Sequence, residues 1–363
     1  YLNLRQLSPR TRKIFGLGYA PIHKDALYKK LVEAGFSENA ILKSGLVYKN
    51  ENGSYYEKFY NRLMFPIIDV YGNIIGFGGR VLGDGIPKYL NSPETEIFSK
   101  SKNLYNLNLA KKGNTRELIL VEGYMDAITI YQAGFTNVVA SLGTAFNENH
   151  ARVLKSYADS AILLFDSDEA GVKAVLRAIP VLKNAGLKVK VLQVTDAKDP
   201  DEYIKKFGSS AFGELLKTSK SHILFEAEQI QKKYNLTLLE DKIAFTNEIA
   251  TLLSNVENSI EKDAYLKEVS RITQIDISAI RDQINSINGT SENNIEYSNI
   301  NKRISDNGVD LARRGIINLV VSNKAIYEAI KDKLLPKELV NPIYIKVLEI
   351  IYNLYKENKP VLP

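Results

Sequence analysis

The stretch ELILVEGYMDAITIYQAGFTNVVAS, residues 117–141, decides the fold class. It places two short runs of apolar β-formers, ELILV and NVVAS, around the helical pattern MDAITIYQAGF. The same alternation continues through NENHARVLKSYA, AILLF, AGVKAVLRAIPVLKNAG and KVKVLQV. Short apolar strands that alternate with amphipathic helices predict a parallel sheet built from βαβ units. Such a sheet binds its ligands at the carboxyl ends of the strands.

The segments on either side of this region follow other patterns. Upstream, RLMFPIIDV (residues 62–70) and IIGFGGRVL (residues 74–82) flank the turn Tyr71-Gly72-Asn73 and predict a β-hairpin. Downstream of about Ser219 no strand pattern remains, and helical periodicity extends to residue 284. We therefore expect a basic α+β region before the parallel sheet and a helical subdomain after it.

The C-terminal end of the chain changes composition. Residues 285–301 contain six Asn, four Ser or Thr and one Gly, which favours a mobile linker. Three amphipathic helical patterns follow, DLARRGIINLVV, AIYEAIKDKLL and PIYIKVLEIIYNLY. They predict the start of another helical domain. Because the first residue is Tyr and the chain stops soon after the last pattern, we expect a fragment of a longer protein.

Composition excludes several classes of site. There is no Cys, so neither a disulfide framework nor a thiolate zinc site can form, and the three His residues are scattered. No apolar run approaches the ~18 residues of a membrane span, and the basic start YLNLRQLSPRTRK carries no signal-peptide h-region, so a cytoplasmic protein is expected. The run DSDEAG fails as an EF-hand loop, since Ala170 and Arg177 occupy ligand positions. Neither a dinucleotide fingerprint nor a P-loop occurs.

The net charge of +6 is unevenly distributed. Residues 1–112 hold 17 Lys+Arg against 9 Asp+Glu, whereas the remainder holds 31 against 33. This asymmetry predicts a surface for a polyanion, although an ordinary solvated face is the alternative. Four cations are interleaved with the predicted hairpin, and Tyr89 offers a face for base stacking. These cations are Arg62, Arg80, Lys88 and Lys100.

Acidic residues follow three of the predicted parallel strands. Glu122 follows ELILV, Asp166 and Asp168 follow AILLF, and Asp199 and Asp201 follow KVKVLQVTDAK. Oxygen-only surroundings suit Mg²⁺, which proteins bind through one or two carboxylates plus substrate phosphates. The alternative is that each acid merely begins a helix, where it interacts favourably with the helix dipole. That alternative applies above all to Asp126 and Glu169, which fall in first helical turns.

Five segments in order carry a resemblance to a known family. They are RLMFPIIDVYGNIIGFGGRVLGDGIPKYLNSPETEIFSK, VEGYMDAI, ASLGTAF, LLFDSDEAG and DPDEYI. Together they resemble the RNA polymerase core of bacterial replicative DNA primases of the DnaG type, with its Toprim domain, from about residue 1 to 284. EGYMD and a downstream DxD are shared by Toprim proteins in general, whereas FGGR and PKYLNSPET are specific to primases.

The resemblance implies an α/β fold with a Toprim-type parallel sheet flanked by helices. A mixed α+β basic subdomain precedes this sheet, and helical subdomains follow it. The expected ranges are a basic subdomain at 1–115, a Toprim catalytic domain at 116–212, a helical subdomain at 213–284, a linker at 285–306 and the truncated start of a helicase-interaction domain at 307–363.

The resemblance also implies roles for individual residues. The catalytic metal ligands are Glu122, Asp166 and Asp168, joined by Asp199 and Asp201 as further metal ligands and by Asp126 in the same acidic pocket. The nucleic-acid and nucleotide contacts are Arg5, Arg62, Arg80, Lys88 and Lys100. The cofactor is Mg²⁺ or Mn²⁺. Zinc is not expected, since the Cys and His ribbon of the family has no counterpart in this sequence.

The function implied is DNA-dependent RNA polymerase activity, the nucleotidyl transfer that makes short RNA primers on single-stranded DNA for replication. The implied partners are template DNA, ribonucleoside triphosphates and the replicative helicase. Two other functions stay open from the residues. A Toprim-type nuclease or topoisomerase fragment would cut DNA with the same acids, and a non-enzymatic replication adaptor would only bind the helicase.

Overall fold

The computed structural model describes residues 1–23, 25–287, 316–317, 319–321, 324–336 and 342–357. The chain divides into two units, Tyr1–Gln229 and Ile230–Pro363. No helix in these described ranges has the length and apolar character needed to cross a membrane.

An antiparallel sheet organises the N-terminal part of the first unit. The helices here are α1 (Pro9–Ile14), α2 (Ala26–Glu33), α3 (Glu38–Lys43) and α4 (Leu107–Ala110). The strands are β1 (Gly18–Ala20), β2 (Val47–Lys49), β3 (Tyr55–Glu57), β4 (Arg62–Ile68), β5 (Ile74–Val81) and β6 (Tyr89–Asn91). Four strands pair in the order β1-β4-β5-β6, and β2 pairs with β3 separately.

The predicted hairpin is confirmed by β4 and β5, which pair antiparallel from Arg62 opposite Val81. Its turn is built by Asp69, whose Oδ1 accepts the backbone N–H groups of Tyr71 and Asn73, each at 2.9 Å. Gly72 supplies the positive φ of 99° that this turn requires.

The parallel sheet of the first unit has the order β11-β10-β9-β7-β8. Its strands are β7 (Glu117–Val121), β8 (Val138–Ala140), β9 (Ser160–Leu163), β10 (Lys188–Val191) and β11 (Lys220–Ser221). The first four are mutually parallel, as predicted, whereas β11 pairs antiparallel with β10 at the edge. The expectation that no strand follows Ser219 is therefore wrong, because Lys220 and Ser221 form β11 at the edge of the sheet.

Five helices accompany this sheet: α5 (Tyr124–Gln132), α6 (Glu148–Tyr157), α7 (Glu169–Asn184), α8 (Pro200–Lys217) and α9 (His222–Gln231). Strand β7 is buried on both faces. Ile119 and Val121 belong to the hydrophobic cluster that contains Phe65 of β4, whereas Leu118 and Leu120 belong to the cluster that contains Leu154 of α6. A strand covered on both faces reads as a continuous apolar run, which explains ELILV.

The second unit is helical in its described residues. It contains α10 (Leu239–Ser254), α11 (Ser259–Thr273), a helical stretch over 277–287, and the helices Lys324–Ile330 and Pro342–Lys356. Residues 285–287 of the predicted linker are helical, and most of the linker lies outside the described residues. The predicted boundary after residue 212 lies within α8, and the proposed domain limits remain predictions.

Candidate active site

The carboxyl edge of the parallel sheet brings together acids from separate strands. Glu122 directly follows β7, and Asp166 lies three residues after β9. The Oε1 atom of Glu122 accepts the backbone N–H of Asp166 at 3.2 Å, which joins the two strand ends directly. Two acids that are 44 residues apart in the chain are thus neighbours, as the alternating pattern predicts.

Two further acids of this edge begin helices. Asp168 caps α7, since its Oδ1 accepts the N–H of Gly171 at 2.8 Å, and Asp199 caps α8 in the same way through Glu202. Asp168 and Asp199 thus do begin helices, and their capping bonds leave open whether they also bind a metal. Each cap engages the Oδ1 atom, and no hydrogen bond within the described chain engages the Oδ2 atom of either residue.

The acids of this edge raise one another's pKa values. Desolvation raises the pKa of Glu122, and the charges of Asp166 and Asp168 raise it further. Desolvation also raises the pKa of Asp166, followed by repulsion from Asp199 and Asp168. Burial, with the charges of Asp199, Asp166 and Asp201, raises the pKa of Asp126 to about 7. The acids of this edge thus repel one another, and the charge of Lys198 only partly offsets the repulsion at Asp166.

Asp201 has different surroundings from the other acids. It is 2% exposed, and its Oδ2 lies 2.5 Å from both Arg5 Nη1 and Lys205 Nζ. Its Oδ1 accepts the hydroxyl of Thr129 at 2.7 Å. Asp201 is therefore the anion of a buried ion cluster with both oxygens engaged, and the metal ligation predicted for it does not fit this environment. The same contact places Arg5 against the acidic edge.

The donor chemistry of the remaining acids suits a divalent cation. Within the described part of the chain, no three His, Asp or Glu side chains are already arranged as metal ligands. Nevertheless, Glu122, Asp166, Asp168 and Asp199 offer only oxygen donors, and a hard cation would relieve the repulsion among them. The fit to Mg²⁺ thus rests on donor type and on the mutual repulsion of the acids.

Three of the predicted cations lie in different environments on the surface. Lys88 is exposed, and its side chain makes no ion pair with the described residues. Arg80 lies over the ring of Tyr1, with Cζ 4.2 Å from the ring centroid, and its Nη1 donates to the Val81 carbonyl at 3.2 Å. Lys100 is half-buried. These three side chains remain candidates for phosphate contact.

Arg62 is instead part of the interior. It is 6% exposed, and its Nη1 donates to the carbonyls of Gly79 at 3.1 Å and Pro87 at 2.9 Å. Burial lowers its pKa. Arg62 therefore fixes the backbone that leads to Lys88, and the nucleic-acid contact predicted for it does not fit this position.

Three family models match the chain in succession. The N-terminal domain of the DNA primase catalytic core matches residues 1–111, a Toprim-like domain matches 119–204, and the DnaB-helicase binding domain of primase matches 225–278. A DNA primase domain from Pseudomonas aeruginosa superimposes with a TM-score of 0.67 at 36% identity, covering 78% of this chain and 91% of that one. The chain belongs to the DnaG primase family.

Other members give the same assignment. The DNA primase of Clostridium acetobutylicum is 39% identical over 355 residues, covering 96% of this chain and 59% of its own length. A DnaG primase catalytic domain bound to ssDNA superimposes with a TM-score of 0.66 at 33% identity, covering 77% of this chain and 89% of that one. The chain thus spans little more than half the length of the curated primase and most of the solved catalytic domains.

The helicase-related match lies upstream of the predicted position. The resemblance assigned helicase interaction to residues 307–363, whereas the matching family model covers 225–278, which includes α10 and α11. The assignment of 307–363 remains a prediction.

Sequence reasoning missed two features of this primase site. Burial and the charge of Lys100 lower the pKa of Lys58, so a further cation lies near Lys100. In addition, Asn91 accepts from the Tyr124 hydroxyl at 2.8 Å and donates to the Leu142 carbonyl at 2.6 Å. These contacts tie β6 to the acidic edge of the parallel sheet. Both features depend on long-range packing, and only the PKYLNSPET motif around Asn91 gave a signal.

Proposed function

We propose that this chain is a primase catalytic core that synthesises short RNA primers on single-stranded DNA by metal-dependent nucleotidyl transfer. The observation that carries the proposal is the convergence of Glu122 and Asp166 at the carboxyl edge of the sheet, with Asp168 and Asp199 capping the adjoining helices. Two of the cations, Arg5 and Arg80, act on the same surroundings as the acids, Arg5 through its ion pair with Asp201. The pKa of Tyr89, raised to about 12 chiefly by burial, responds to the charges of Arg80, Asp126 and Arg5 together.

The proposed cofactor is Mg²⁺ or Mn²⁺, held by Glu122, Asp166, Asp168 and Asp199. The chemistry supplied by a bound divalent cation is activation of the attacking hydroxyl and neutralisation of the leaving pyrophosphate. The 3′ oxygen of one ribonucleotide attacks the α-phosphorus of the next ribonucleoside triphosphate. As that bond forms, the bond between the α- and β-phosphates breaks, pyrophosphate leaves, and the hydroxyl proton passes to solvent.

The residues of the chain itself contribute position and charge. Arg80, Lys88 and Lys100 neutralise phosphates of the template or of the incoming nucleotide, while Tyr89, which is 37% exposed, offers its ring for stacking. The ion cluster around Asp201 holds Arg5 in place beside the acids. No Ser, His or Lys nucleophile is needed, because binding and electrostatic stabilisation carry the reaction.

The proposed partners follow from the same assignment. Single-stranded DNA is the template, as the DNA-bound DnaG catalytic domain suggests by similarity. Helicase binding is proposed for residues 225–278, which match the helicase-binding family model. We also propose a cytoplasmic location, since primer synthesis takes place at the replicating chromosome.

The test is incubation of the chain with Mg²⁺, ribonucleoside triphosphates and single-stranded DNA, followed by analysis of both RNA and DNA. Glu122→Gln is expected to lose primer synthesis by ~100-fold or more, since it removes a charge needed to bind the cation. Glu169→Gln is the matched control, because Glu169 is exposed at the start of α7 and its side chain pairs with Lys173.

Three results would contradict the proposal. Normal RNA synthesis by Glu122→Gln would remove the acids from catalysis. Cleavage of the DNA without RNA synthesis would favour the nuclease or topoisomerase alternative. Helicase binding by a chain that neither makes RNA nor binds Mg²⁺ would favour the adaptor alternative.

A further inference from the structure

His150 is a buried imidazole that the proposed reaction does not use. It lies in the first turn of α6 and is 0% exposed. Its Nε2 lies 2.7 Å from the backbone carbonyl oxygen of Lys100. Because a carbonyl oxygen only accepts hydrogen bonds, Nε2 must carry the hydrogen. The Nδ1 atom has no hydrogen-bond partner among the described residues. Burial lowers the pKa of the ring more than the backbone groups of Lys100 and Asn103 raise it, which favours the neutral imidazole.

The backbone of Lys100 is also held from its amide side. The N–H of Lys100 donates to Glu94 Oε1 at 2.9 Å. Next to it, the side chain of Asn103 donates to the Ser99 carbonyl at 2.8 Å, and Phe98 is 1% exposed. The backbone at Lys100 is therefore fixed, while its ammonium group makes no ion pair with any described residue.

The hydrogen bond from His150 crosses between two parts of the first unit. Lys100 lies in the region that matches the N-terminal primase domain, and His150 lies in the Toprim-like region. Loss of the His150 donor would leave the Lys100 carbonyl without this partner in a part-buried place, which is costly. The bond thus ties a predicted phosphate-binding lysine to the helix that follows the Toprim strand β8.

We propose that His150 is a positioning residue for nucleic-acid binding, which orients Lys100 toward a phosphate of the single-stranded DNA or of the incoming nucleotide. This inference rests on the proposed function, in which Lys100 contacts phosphate. A packing role alone is the competing explanation, because the ring also lies 5.3 Å from that of Phe146. Packing alone would affect the stability of the fold and leave the phosphate contact unchanged.

The experiment measures single-stranded DNA affinity against salt concentration for the full chain and its variants. Lys100→Ala removes the phosphate contact, and we expect it to reduce the slope of log K against log salt by ~0.7. His150→Leu fills most of the space of the imidazole with an apolar side chain but removes the donor. We expect the same loss of slope as for Lys100→Ala and an affinity about five-fold weaker than that of wild type. His150→Gln retains a donor and is expected to recover much of the affinity.

The outcomes separate the inference from the proposed function. If Lys100→Ala leaves the slope unchanged, the phosphate role of Lys100 fails, and with it the role of His150. If Lys100→Ala lowers the slope but a folded His150→Leu matches the wild type, only the positioning role is overturned. The double variant should be no weaker than Lys100→Ala alone, since the two changes remove one contact.

A measurement on the unmodified chain covers the case in which His150→Leu does not fold. The ¹⁵N chemical shifts of the His150 ring report which nitrogen carries the hydrogen. A neutral ring protonated at Nε2 is the expected result. A ring protonated at Nδ1 would overturn the inference, since Nε2 could then not donate to Lys100.

Discussion

Asp126 is an acid at the sheet edge, and its surroundings raise its pKa to about 7. In an unfolded chain an Asp titrates near ~3.9. At pH values between these two pKa values, Asp126 keeps its proton in the folded protein but has lost it in the unfolded chain. Stability therefore falls as pH rises from about 4 to 7. In metal-free buffer we expect wild type to lose roughly 2–3 kcal/mol of unfolding free energy between pH 5 and pH 8 through this residue.

Asp126→Asn is the control for this pH dependence. It removes the titrating group while keeping the size of the side chain, so its unfolding free energy in urea should vary less between pH 5 and pH 8. Equal pH dependence in both proteins would show that Asp126 titrates normally. Glu122 and Asp166 shift in the same direction and leave a residual slope in the variant.

Variants of Asp201 and Asp166 distinguish an acid that stabilises the fold from an acid that binds the metal. Asp201→Asn leaves Arg5 and Lys205 without their anion in a largely buried place, so we expect a loss of about 2–3 kcal/mol in unfolding free energy. Its affinity for Mn²⁺, measured by titration calorimetry, should stay close to that of wild type. Asp166→Asn should behave in the opposite way, with weaker Mn²⁺ binding and little loss of stability. Weakened Mn²⁺ binding in a stable Asp201→Asn protein would restore Asp201 as a ligand.

At the scale of elements, the start of α7 depends on the absence of a side chain at Gly171. A Cβ atom there would lie 2.0 Å from the backbone oxygen of Asp166. Gly171→Ala must therefore displace the segment that carries Asp166 and Asp168, and we expect primer synthesis to fall at least ~10-fold. Gly213→Ala is the matched control in α8, where the nearest atom is 3.4 Å away and Ala favours the helix. Equal activity of the two variants would contradict this expectation.

Periodicity predicted most of these elements. The alternation of strands and helices from residue 117 to 191 and the hairpin of β4 and β5 are confirmed. The failures have physical causes. Helix α8 was not predicted, because Gly208, whose φ is 84°, interrupts the helix and with it the periodic pattern in the sequence. Strand β11 has only two residues and exists because β10 offers it a partner.

The candidate site was harder to predict than the fold. The acids could be located because each follows a strand, and strand ends meet at one edge. Whether an acid is free or paired depends on cations from distant segments, as Arg5 shows for Asp201. Likewise, Arg62 and Arg80 both occur in motif-like surroundings, yet in the folded chain Arg62 is buried and donates to the carbonyls of Gly79 and Pro87.

At the scale of the whole molecule, positive charge is concentrated in residues 1–112. We expect affinity for single-stranded DNA to fall steeply with salt, because counterions are released on binding. The double variant Arg80→Ala, Lys88→Ala should reduce the salt slope by ~1.4, corresponding to two phosphate contacts. Lys29→Ala is the control, since Lys29 is exposed in the same basic third but pairs with Asp25. An unchanged slope in the double variant would remove these cations from the binding surface.

The double burial of β7 restricts how this protein can vary in evolution. Ile119 and Val121 face one layer, Leu118 and Leu120 face the other, and Glu122 follows immediately. Deletion of a single codon within this strand would exchange the two faces and rotate Glu122 away from its neighbours. Natural length variation among relatives should therefore be absent from β7 and concentrated in turns such as that at Gly72.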